Sequence, residues 1–331
     1  MSAVLLTLLL CPGQIIVAAD NSSPEWQERA QFHCRDEADD AVVIQRAADR
    51  AKGGERLVFA AGRYRCQSGV VIGPDVCGIE AAGRVWIQRA GNYDGWLMTV
   101  RGLLRCRIKG LSFIGSHKAK GLFIDNCHCC VVERIFCYST PQALVVESGW
   151  LMQLLHIRAE DCRYTGPLIK LQAVPQLRHL SVVRCTGDGP ILELLAGNAE
   201  HLAIEKCECG SGPVVRWSTS LGTLDKLHFE QNRAAVQVEL TDCRLCRVDN
   251  VSLGGPKNVP VEVGILLKNC RSTDVGSVVA TWCTDAIVRF EPDLRDCRAD
   301  PERVQLYRDR DWYPPEWLPK HLIDHAGQGA R

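Results

Sequence analysis

The chain has 331 residues, 46% of them apolar, and its 39 Lys and Arg are balanced by 39 Asp and Glu. With no basic excess to neutralise a run of phosphates, nucleic-acid binding is excluded as a main role. A chain this long normally divides into about two domains, unless its core grows along one axis as in repeat proteins.

The first segment, MSAVLLTLLLCPGQIIVAAD, holds an apolar stretch, a Pro-Gly break and small residues at Val17, Ala18 and Ala19. This is the composition of a signal peptide over residues 1–19, cleaved before Asp20. That reading places the protein outside the cytoplasm, either secreted or in the periplasm or cell envelope, where disulfides are permitted. No later segment reaches the roughly 18 apolar residues of a membrane span. DDAVVIQRAADRAKGG then predicts a helix, with Asp39 or Asp40 at its N-cap, apolar Ile44, Ala47, Ala48 and Ala51, and Gly53 and Gly54 at its end. GGERLVFAAGRYRC follows as a strand, a tight Ala-Gly turn and a second strand.

Further along, one pattern recurs: an apolar residue, two variable ones, then apolar, variable, apolar. Eight copies begin at Ile108, Val132, Met152, Leu177, Ala199, Leu224, Val248 and Val275, about 20 to 27 residues apart. A second short strand introduced by Gly, Ala or Pro follows each copy, as in GLFI, ALVV, PLIKL, PILEL and PVVRW. Such runs, each too small to bury its own apolar side, are what stacked coils require. Leucine-rich repeats share the period, but here the return leg is rich in β-branched residues, which favours an all-β coil. After Asp293 the period is lost, so residues 294–331 are expected to form an irregular tail containing Trp312, Trp317 and four prolines. That tail either folds back along the coils or offers rings to a sugar or partner.

The helix with its GG-x-x-hydrophobic-x-x-AG-x-Y cassette over 39–66, continued by CRIKGLSFIG and the coils to about Phe290, resembles the pectin-lyase-like superfamily of pectate lyases and polygalacturonases. The resemblance implies an all-β fold, a right-handed parallel β-helix (solenoid) with an N-terminal capping helix, as one domain over 20–293. It also implies a secreted protein that binds or processes an acidic polysaccharide. A capping helix would cover the unpaired edge of the first coil.

In stacked coils, equivalent places lie about 4.8 Å apart. Cys185, Cys207 and Cys283 share one place, with Asn232 there in the coil between, and Cys106, Cys130 and Cys246 share another. Neighbours at that spacing fit either disulfides, whose Cα atoms lie about 4.4–6.8 Å apart, or a ladder of reduced thiols filling turns. CHCC at Cys127 to Cys130 lacks a second pair close enough to complete a zinc site.

Alternation along the second strand turns Asp125, Glu147, Lys170, Glu193, Arg216, Gln237 and Glu239 outward on successive coils. By resemblance this face is the substrate groove, with Asp125, Glu147, Glu193 and Glu239 binding substrate. Asp125 and Glu147 would hold a calcium ion, and Lys170 and Arg216 would be the basic groups that take the proton beside a uronate carboxyl. The same residues also fit a solvated face of cross-strand charge pairs.

The polygalacturonase carboxylates are missing: the corresponding places hold Lys118, Ala119 and Lys120, then Pro141 and Gln142, then Thr165, Gly166 and Pro167. The pectate-lyase signature has become Val131, Val132, Glu133 and Arg134. A second column, Glu200, Asp225 and Asp249, needs either a cation or flanking Lys226 and Arg247. His156, His179, His201 and His228 lie in the same half of the repeat and read as turn-lining residues. Two classes of function remain: a polysaccharide lyase or related enzyme, and a non-catalytic scaffold or adhesion protein of the cell envelope.

Overall fold

In this computed structural model the described residues are 13–36, 38–172, 176–254, 261–281, 283–292, 294–306 and 320–325. They belong to two compact units, Met1–Gln153 and Leu154–Arg331, both all-β parallel solenoids.

In the first unit Glu55–Cys66, Val76–Arg89, Arg107–Ile114 and Val131–Tyr138 form one parallel sheet. Val70–Ile72, Trp96–Arg101, Lys120–Asp125 and Leu144–Val146 form another. Successive coils stack like on like, so Ile79, Ile108 and Val132 make one buried column and Met98, Leu122 and Leu144 a second. The predicted helix spans Asp40–Arg50, with Asp39 as N-cap accepting from the Ala41 N–H at 3.0 Å. It buries Ala41, Val43, Ile44, Ala47 and Ala48. Its Gln45 amide donates to the Val71 carbonyl at 2.9 Å and accepts from the Val71 N–H at 2.8 Å. A side chain thereby satisfies the outermost strand of that sheet as a neighbouring strand would.

Gln14–Ala18 is a strand pairing in parallel with Arg56–Phe59, and Ile15 to Ala19 are at most 5% exposed. The Tyr64 hydroxyl lies 2.8 Å from both the Val17 and the Ala60 carbonyls. A leader cleaved before Asp20 would take this strand with it. Core strands and leader segments share an apolar composition, so composition alone does not separate them.

In the second unit one sheet runs through Gln176–Val183, Asn198–Glu205, Gly222–Glu230 and Cys246–Gly254, and another through Ile169–Leu171, Leu192–Leu194, Val215–Trp217, Val236–Thr241, Val261–Lys268 and Cys283–Phe290. Parts of the expected tail continue the coils: Val304–Leu306 pairs with residues 278–280, and His321–His325 pairs with residues 286–290. Trp312 and Trp317 lie outside the described residues.

The two variable residues in the repeat have a backbone cause. The second of them adopts the left-handed conformation: Gly110 and Arg134 in the first unit, and His156, His179, His201, Lys226 and Asn250 in the second, at φ of 53–58° for those five. At this kink two consecutive side chains point outward before the apolar alternation resumes. Among the described residues none of the 22 non-glycine residues at positive φ is β-branched, as the steric cost of that region requires.

The kink also corrects the third copy of the repeat. Its inward residues are Leu154, Ile157 and Ala159, not a triplet starting at Met152, because Leu154 is fully buried while Leu155 is half-exposed. Two overlapping apolar triplets compete there, and the kink at His156 decides between them.

Left-handed residues also mark the corners of the coils, where each is followed by a buried small or polar residue. Arg105-Cys106, Asn126-Cys127, Asp161-Cys162, Arg184-Cys185, Lys206-Cys207 and Asn269-Cys270 are examples, with Ser139-Thr140 and Gln231-Asn232 as variants. The thiols lie near the carbonyl two residues back, from 3.0 Å for Cys246 to 3.8 Å for Cys243. The Cys106 N–H also reaches the Cys130 sulfur at 3.4 Å, and the Cys185 N–H reaches that of Cys207 at 3.4 Å. Asn232 does the same with oxygen, accepting from the Cys207 N–H at 3.0 Å. Among the described residues all 17 cysteines stand as free thiols, and the in-register ones stack as a ladder on successive coils. Cys283 leaves its expected column and opens a strand opposite Val261.

Candidate functional site

The short-strand sheet of the second unit brings Lys170, Glu193, Arg216 and Glu239 into one outward row, each in register with the next. The signs alternate along it. Lys170 lies 3.6 Å from Glu193, and Arg216 lies 3.7 Å from Glu193 and 2.9 Å from Glu239. Lys268 closes on Glu239 at 3.1 Å. Burial alone would raise the Glu239 carboxyl, but hydrogen bonds from Arg216 and Lys268 outweigh it and hold the group below the usual carboxylate range. Lys170 and Arg216, expected as bases, therefore each lie against carboxylates. Gln237, expected outward, is buried, and its Oε1 has no hydrogen-bond partner.

In the first unit, Asp125 accepts from the Ser148 hydroxyl at 2.6 Å and lies 3.8 Å from Arg101. Glu147 is exposed just past the strand Leu144–Val146. Calcium takes about six to eight oxygens. Among the described residues no group of three or more His, Cys, Asp or Glu is gathered that could hold a metal ion.

On the kinked sheet of the second unit, Glu200, Asp225 and Asp249 stack as predicted. Cations flank them: Lys226 at 3.1 Å and Arg178 at 3.3 Å from Glu200, and Arg303 at 3.3 Å and Arg247 at 2.5 Å from Asp249. Asp249 is pushed down to about 2: burial would raise it, but the Ser277 and Asn250 N–H groups and the two arginines prevail.

Beside this column runs a groove of about 530 Å³ that the sequence reading did not assemble. His156, His179 and His201 occupy the kink on three successive coils, with ring centroids 4.6 and 4.7 Å apart and planes inclined by 3° and 20°. Lys226 takes the same place on the next coil, its ammonium 3.5 Å from the His201 ring. Ser181 and Ala203 are in register on the far side of the kink, and their small side chains leave the groove hollow, with Arg158 and His228 also lining it. Among the described residues no carboxylate lines the groove. With the third copy started at Met152, His156 falls two places out of line; started at Leu154, all three histidines share one position.

No protein-family model matches the chain, and no curated protein does. Among solved structures, an endo-xylogalacturonan hydrolase from Aspergillus tubingensis superposes with a TM-score of 0.52 at 10% identity, covering 95% of this chain and 100% of that one. The fold is a right-handed parallel β-helix, like that of this hydrolase. The surface adhesin PfbA of Streptococcus pneumoniae gives 0.40 at 10% identity, over 82% of this chain and 89% of that one. ORF18 of Geobacillus virus E2 gives 0.44 at 11% identity over 86% of this chain, which spans about 60% of that protein's length.

In this β-helix Glu133, expected as the surviving acidic residue of a lyase signature, is also engaged in ion pairs. Glu133 lies 2.7 Å from Arg107 and 3.3 Å from Lys109, and the Arg107 hydrogen bond leads in lowering its carboxyl. Arg134, beside it, is a kink residue.

Proposed function

We propose that this β-helix binds an acidic polysaccharide along its coils without cleaving it. The observation that carries the non-catalytic half of this reading is the alternating row Lys170, Glu193, Arg216, Glu239 and Lys268, in which every cation has a carboxylate neighbour. An ammonium held in an ion pair is no base for taking a proton beside a uronate, and general acid–base work needs groups in reach of substrate with suitable protonation. The empty polygalacturonase positions support the same side of the choice. The fold supports the polysaccharide, by analogy with the hydrolase it superposes on.

The test is calorimetry with polygalacturonate, with and without calcium, alongside assays for new reducing ends and for the ultraviolet absorbance of an unsaturated product. Saturable binding with no product in either assay is expected. Product formation would overturn the non-catalytic reading, and absence of binding would overturn the ligand class.

A further inference from the structure

We infer that the groove over His156, His179, His201 and Lys226 is the binding site for that polyanion, and that it takes up protons as the polymer binds. This rests on the proposed polysaccharide reading and names its site, on the opposite sheet from the charge row.

Two observations converge. Each coil offers one nitrogen-bearing side chain at the same height, so the site repeats every 4.6 to 4.7 Å, a ladder suited to a linear polymer with charge along its length. The lining holds four histidines, Arg158 and Lys226 but no carboxylate, whereas the row on the other sheet alternates in sign.

The proton linkage follows from the stacking. Three imidazolium ions at this spacing repel, and His179, between His156 and His201, is held below the usual histidine range by burial first and then by its two neighbours. Glu200 lies 3.5 Å from His201 but is already held by Arg178 and Lys226; Arg158 pairs with Glu160 at 2.7 Å; His228 lies 3.6 Å from Glu230; and Lys226 lies 3.9 Å from Asp225. Carboxylates of the polymer, with a pKa of about 4, stay ionised across the range in which histidine ordinarily gains its proton. They favour the charged ring, so binding tightens as pH falls from about 7.5 to about 5.5.

The experiment titrates oligogalacturonate into the full chain at both pH values, in two buffers of different ionisation enthalpy, for the wild type and the triple variant H156N/H179N/H201N. Asparagine tolerates the left-handed backbone and already stands there at Asn250. Expected is at least tenfold tighter wild-type binding at the lower pH with net proton uptake, both lost in the folded triple variant. Binding that is equal at both pH values, or unchanged in the variant, overturns the site while leaving the ligand class intact. No binding at either pH overturns the polysaccharide reading itself. A triple variant that fails to fold moves the test to H201N alone, which must lose at least threefold at the lower pH.

Discussion

The same position of the repeat is filled differently in the two units. In the first unit the kink is made by Gly110 and Arg134; in the second it is made by three stacked histidines, Lys226 and Asn250. Glycine reaches this conformation freely, whereas other residues pay about 1–2 kcal/mol for it. The backbone route is shared, so the side chains of the second unit are not needed to make the turn. The first unit uses the position for folding, and the second presents a row of titratable groups along it.

The largest effect tests how far the first unit depends on its own burial. Deleting residues 1–19 removes the strand Gln14–Ala18 and uncovers the edge of Glu55–Cys66. Losing the buried Ile15, Ile16 and Val17 is expected to cost on the order of 5 kcal/mol. The thermal midpoint should fall sharply or the chain should aggregate through the exposed edge. A truncated protein as stable as the full chain would show that residues 14–19 are dispensable, as a cleaved leader requires.

An intermediate effect belongs to the charge row. Glu239→Gln leaves Arg216 and Lys268 with a weaker acceptor and should cost about 1–2 kcal/mol in urea unfolding, little of it felt in polyanion binding. The sign with pH follows from the depressed carboxyl. Its stabilisation is fully present above the unfolded value of about 4.3 and is lost as pH falls through the lower folded value. The difference between wild type and variant should therefore shrink below about pH 4. A gap that persists there would show that the loss is one of packing rather than charge.

Much of this was legible in the sequence. Apolar triplets and return strands reported the coils because each strand has one buried face with a period of two, interrupted at a constant place. The helix at Asp40–Arg50 was marked by its cap and its glycines. The histidine stack was hidden by a single slip of register: Met152 and Leu154 both start plausible triplets, and only the left-handed backbone at His156 separates them. The charge row was visible as a set of outward residues, yet its meaning was not, because pairing depends on side-chain reach rather than on sequence position. The thiols showed their spacing but not their purpose. The place after a left-handed corner residue calls for a small side chain with a polar atom, and Cys, Thr and Asn all answer it.

The smallest expected effect on stability is the sharpest test of the comparison. His179→Gly gives the second unit the residue that the first unit has at Gly110. It relieves about 1–2 kcal/mol of backbone strain, adds about 0.5–1 kcal/mol of unfolded-state entropy, and removes two ring contacts. These terms nearly cancel, so the unfolding free energy should stay within about 1 kcal/mol of wild type. His179→Val, which places a β-branched residue at a φ of 58°, should by contrast cost about 2 kcal/mol or more. If glycine is tolerated while affinity for oligogalacturonate falls, the imidazole serves the ligand and not the turn. If glycine costs as much as valine, the stacked rings hold the coils together, and the difference between the units is one of packing alone.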